Sequence, residues 1–309
     1  MIASVFNKTR PINYLLIGFL IIISFFSYII SKEKFNLDWS NVLNQSLFLF
    51  LIIASTILVN FISLKNDLTK NNTYAALLFF TFMLFFPSVF ENKNILISNF
   101  LLLLALRRLI SLKSMISTKE KIFDASFWIL LSALFHFWSI FYIILVFISI
   151  ILDVSRDFKN WLIPFIALLT VIILFFLFNE ILDNTLLERL LNKTYISFNF
   201  TYFENVYQNL ALAIFSSISL LLFVGFIMGL SKKLLNMQTS YKKILFSFVL
   251  GLGIFILSAN KNNSYLAFSL APLSIIGANF VEDLKTNWVK ETTLYIFFFL
   301  GVFFFVTQL

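Results

Sequence analysis

Few side chains in this chain of 309 residues could do chemistry, and they are scattered. Arg107-Arg108 closes the apolar run "NFLLLLAL". Adjacent guanidinium groups can grip a lipid phosphate or a nucleotide-sugar diphosphate. They can equally anchor a span at the membrane interface with snorkelling side chains. His136 is the only histidine and lies between Phe135 and Phe137, beside Trp138. A neutral imidazole there can serve as a base or a ligand. It can also simply tie a turn to a backbone carbonyl, because unpaired polar burial is costly. Asp124, in "KIFDASFW", reads as a helix N-cap followed by the small residues Ala125 and Ser126. A catalytic role for it would need a cavity and a basic partner. Asp38 precedes Trp39 in "SKEKFNLDWSNVLNQ", where it is a loop acid or the cap of a helix beginning near Trp39. Lys261 is the sole basic residue of the loop in "SANKNNSYLAF". There are no cysteines, so disulfides, thiolate metal sites and cysteine nucleophiles are excluded. With one histidine and no His/Asp/Glu cluster inside an apolar run, neither a metal nor another cofactor is expected.

The elements that must position these residues are membrane helices. The chain is 60% hydrophobic and 12% charged, with a mean hydropathy of +0.94. A soluble protein would carry roughly 25% charged residues. Apolar runs at 12–31, 43–64, 74–90, 95–112, 161–178, 209–230, 244–259, 264–281 and 292–308 each approach the ~20 residues of one span. The expected fold is all-α, a polytopic bundle of about nine spans plus a helical hairpin, forming one integral membrane domain over residues 1–309. The first run follows Lys8 and Arg10 but is long and lacks a small-residue cleavage site, so it reads as an uncleaved helix. The longest polar connection, 179–208, contains "EILDNTLLERLL" (180–191), the pattern of an amphipathic helix on the outer surface.

The run at 123–152 is the unusual one. Thirty helical residues would be about 45 Å long, against a hydrocarbon core of ~30 Å. Charge counting decides between one crossing and a same-side hairpin. A hairpin puts 17 of the 23 basic residues on the side of the N-terminus and 6 on the other. A single crossing divides them almost evenly. The positive-inside rule therefore favours the hairpin, with the N-terminus cytoplasmic and the C-terminus periplasmic. Its arms would be 123–134 and 137–152, with His136 at the turn and a first arm short enough to be re-entrant. The net charge of +8 then reflects topology, and no nucleic-acid partner is expected. All 15 Asp and Glu fall in loops or at span ends, which disfavours an ion-coupled transporter. Pro272 should kink its helix and free a carbonyl that protein or water must satisfy.

Two resemblances accompany these readings. "NKTRPINYLLIGFL", "KIFDASFWILLSALFHFW" and "FKNWLIPFIALLT" together resemble an uncharacterised multi-pass inner-membrane protein family of Bacteroidota, chiefly flavobacteria. The hairpin, the acid in the first outer loop and "NKNNSYLAFSLAPLSIIGA" are similar in style to GT-C-type glycosyltransferases, which use polyprenyl-phosphate-linked sugars. That likeness implies envelope biogenesis, Asp38 as catalytic base and Lys261 pairing with phosphate. Arg107, Arg108 and His136 are further candidates for binding lipid phosphate or substrate. The chain departs from the pattern: the first outer loop is short and lacks a paired acidic motif, and Lys261 stands where an Arg directly before the Tyr would be typical. The competing expectation is a non-catalytic subunit or scaffold of an envelope secretion or motility complex. The expected partners are membrane lipids, with either a lipid-linked sugar or other membrane subunits.

Overall fold

Long apolar segments with few internal breakers leave the backbone one way to satisfy its hydrogen bonds in lipid, and the chain takes it. A computed structural model describes residues 2–32, 38–181, 194–198, 205–259 and 261–309, and among these there are helices and no strands. The α-helices are α1 (Ile2–Phe6), α2 (Pro11–Ser31), α3 (Trp39–Lys65), α4 (Tyr74–Leu84), α5 (Lys93–Ile110) and α6 (Thr118–Phe135). They continue as α7 (Ile143–Ser149), α8 (Lys159–Ile181), α9 (Val206–Gly229), α10 (Leu235–Leu257), α11 (Ala267–Asp283) and α12 (Asn287–Gln308). Among the described residues, nine helical segments are long and apolar enough to cross a membrane. The proposed amphipathic stretch at 180–191 lies almost wholly outside the described residues.

Two segments surround themselves with protein instead of lipid. Every residue of α4 is buried, and α11 is buried over most of its length. The two pack against each other, with α3, α9, α10 and α12 around them. The run 74–90 is therefore not one regular span, as its hydropathy implies. After 11 helical residues Pro87 opens a 3-10 turn, Pro87–Glu91, that continues the segment inside the bundle.

Close approach of backbones fixes the centre. A Cβ on Gly251 of α10 would lie 2.7 Å from the Phe268 carbonyl oxygen of α11, so only glycine fits. Pro272 has no N–H to give that same carbonyl, four residues back. The Tyr142 hydroxyl offers a donor in its place at 3.1 Å, its one proton shared between this carbonyl and that of Ser247 at 3.0 Å. The carbonyl freed by Pro272 is thus satisfied by protein.

The hairpin is real but longer than its apolar core. α6 starts at Thr118, so its 18 residues rise about 27 Å. The second arm runs from a 3-10 turn at Phe137–Tyr142 through α7 to a π-helical end at Ile150–Val154. Lys119 lies 3.8 Å from Asp157, which places both open ends of the hairpin at one end of the bundle. The charged turn Lys119–Lys121 belongs to the helix, so the first arm is longer than its apolar part. For the same reason Asp124 is no N-cap: it sits in the helix interior and pairs with Arg108 at 2.8 Å.

Candidate functional site

The hairpin turn delivers His136 to the end of the bundle opposite Arg107. Its side chain is 8% exposed, and its Nε2 lies 3.0 Å from the Ser258 hydroxyl just beyond α10. The imidazole also packs on the rings of Tyr265 and Phe268, with centroids 4.9 and 5.4 Å away. The tie therefore runs to the side chain that follows another helix, in addition to the backbone bond from the His136 N–H to the Ser132 carbonyl.

Lys261 meets the same residue. Its ammonium donates to the Ser258 carbonyl at 3.1 Å and to the Ser197 carbonyl. His136 and Lys261 are thus brought together through Ser258. Lys261 is 6% exposed, and burial pushes its ammonium below the ordinary lysine range.

Two cavities open at this end. The smaller, about 300 Å³, is lined by Lys261, Asn262, Asn263, Lys32, Gln208 and Gln308, with Pro87, Ser88, Tyr28 and Glu91 completing the wall. The Ser88 hydroxyl there is buried and has no hydrogen-bond partner among the described residues. The larger, about 590 Å³, lies between the end of α2, the first turns of α3 and Phe90–Lys93. Tyr28 and Glu91 line both, and the Tyr28 hydroxyl donates to the Glu91 carboxylate. Glu91 stays at the surface because the 3-10 turn after Pro87 carries it out of the buried α4.

The other sequence candidates lie elsewhere. Asp38 occupies the position before α3, as its place beside Trp39 implies, but its side chain makes no capping bond. It lines neither cavity. Arg107 and Arg108 are at the far end. The Arg107 guanidinium stacks 4.9 Å from the Phe61 ring centre, and Arg108 holds Asp124. Beside them Lys243, fully buried, pairs with the buried Asp153 and donates to the Leu109 carbonyl at 2.6 Å.

Sequence reasoning missed Tyr28, Lys32, Glu91 and the amides of both cavities. One signal was available: Asn41, Asn44 and Gln45 fall on one face at the start of an otherwise apolar helix. Glu91 in "FENKN" carries no local mark, because its partner Tyr28 is brought to it by the packing of α2 against the 3-10 turn.

A bundle of apolar helices with polar cavities at one end defines a polytopic α-helical membrane protein. More particularly, the chain belongs to a family of unknown function, DUF6427, whose pattern matches residues 12–309. No curated protein and no solved structure matches it.

Proposed function

We propose that the protein serves envelope biogenesis in the bacterial inner membrane, as a GT-C-like enzyme that takes a polyprenyl-phosphate-linked sugar at the Lys261 end. The supporting observation is the smaller cavity. Two ammonium groups, Lys32 and Lys261, share it with a carboxylate, Glu91. Cations suit a leaving phosphate, and a carboxylate suits removal of a proton from an acceptor hydroxyl. Asp38, the base implied by the GT-C likeness, remains a candidate beside Glu91.

In a strain that depends on the protein, Asp38→Asn, Glu91→Gln and Lys261→Gln are to be compared for glycan and lipid-linked precursor profiles. Lys261→Gln and at least one acid variant are expected to deplete the glycan and accumulate its precursor. Unchanged profiles in all three overturn the proposal. Burial lowers Lys261, so its positive charge is lost at a lower pH than that of an ordinary lysine. Binding of a phosphate lipid should therefore weaken, as pH rises, sooner than at an exposed lysine site.

The orientation that goes with this reading has the N-terminus cytoplasmic and the C-terminus periplasmic. The absence of native cysteines makes it simple to test. An impermeant thiol reagent added outside should label Val206→Cys and spare Ile116→Cys; the reverse pattern overturns the orientation.

The arrangement of α8 favours a second reading, a non-catalytic subunit or scaffold of an envelope complex. It packs chiefly on α6 and turns Phe165, Leu169, Ile173 and Phe176 outward. Recovery of a pure monomer after mild detergent extraction would count against that reading.

A further inference from the structure

The two cavities share a wall yet differ in chemistry. Lys32 and Lys261 line only the smaller. The larger is lined by three neutral amides, Asn41, Asn44 and Gln45, together with Lys93. These amides lie at i, i+3 and i+4 on α3, so they present one face. Each offers two donors and an acceptor. Beneath them are the rings of Phe25, Phe48 and Phe90, with Phe25 and Phe90 edge to face at 6.2 Å. A few placed polar groups over an apolar, aromatic floor is the general form of a small-ligand site. A sugar ring matches this floor and rim, since it has hydroxyls at its edge and C–H groups on its faces. Glu91 in the common wall would repel an acidic sugar and accept from a hydroxyl of a neutral one.

We propose that the larger cavity holds the uncharged sugar of a lipid-linked donor, read by Asn41, Asn44 and Gln45, while Glu91 contacts it at the junction with the phosphate cavity. This rests on the reading of the smaller cavity as a phosphate site. It goes beyond that reading by naming the residues that choose the sugar and by requiring the sugar to be neutral.

The test uses the full chain in lipid nanodiscs. The probes are polyprenyl phosphate and the same lipid carrying a glucosyl or a mannosyl group. At least one sugar-bearing lipid is expected to bind about tenfold more tightly than the bare phosphate, the effect of one or two added hydrogen bonds. Asn44→Leu should erase that gain. Asn44 is exposed, so the variant should fold, and a melting curve matching the parent checks this. Lys261→Gln should weaken all three probes. If the bare phosphate binds and neither sugar adds affinity, or if Asn44→Leu keeps the gain, the sugar site is wrong and the phosphate reading survives. If no probe binds, both are overturned.

Discussion

The two ends of the bundle set their charges in different surroundings. At the Arg107 end the cations are engaged by the protein itself. Arg108 holds Asp124, Arg107 lies on Phe61, and Lys113 donates to the Asn66 carbonyl at 2.8 Å. Lys121 and Lys243 donate to the Ser111 and Leu109 carbonyls, capping the end of α5 where helical carbonyls lack partners and the helix dipole is negative. At the Lys261 end the cations are held too, Lys261 by the Ser258 and Ser197 carbonyls and Lys32 by the Gln308 carbonyl at 3.4 Å, but these two, with Glu91, line a cavity. On the proposed reading, the dense basic residues anchor the protein and the sparse charges beside a cavity bind.

Four substitutions would break or sharpen that contrast. The largest effect should come from Lys243→Met, which strands the buried Asp153 carboxylate and costs about 3–5 kcal/mol. Melting in detergent reads it, and Lys243→Met with Asp153→Leu should recover most of the loss. Next is Gly251→Ala, whose added Cβ meets the Phe268 carbonyl and costs about 1–3 kcal/mol by overpacking. Tyr142→Phe should cost a similar ~1–3 kcal/mol by leaving that buried carbonyl without its hydroxyl donor. Because both act on one carbonyl, their double variant should fall short of the sum. The smallest effect belongs to Arg108→Gln. The pair with Asp124 is about one-third exposed or more on each side and contributes within about 1 kcal/mol, less in high salt. A large loss of stability from Arg108→Gln would contradict the view that it is a surface tie.

How far the sequence speaks depends on the range of the interaction. Hydropathy alone located most spans, because lipid imposes one local rule on every exposed backbone. Charge counting placed both open ends of the hairpin together, and the Lys119–Asp157 approach bears this out. Hydropathy misled where helices hide from lipid. α4 looks like a span but is enclosed, and α6 looks short because its first turn is charged. Pro272 announced a free carbonyl, but nothing near it in sequence pointed to Tyr142, which is 126 residues along the chain from Phe268. The candidate site was legible only at Lys261. Glu91, Tyr28 and the α3 amides become a site through the packing of α2, α3 and the turn after Pro87, which no local pattern encodes.

The central claim is that the Lys261 end works and the Arg107 end anchors. One complementation series tests it directly: a dependent strain carrying either Glu91→Gln with Lys261→Gln, or Arg107→Gln with Arg108→Gln, each at matched protein levels. The account predicts a lost or altered envelope glycan profile from the first pair and a parental profile from the second. A parental profile from the first pair, with loss from the second, would contradict it.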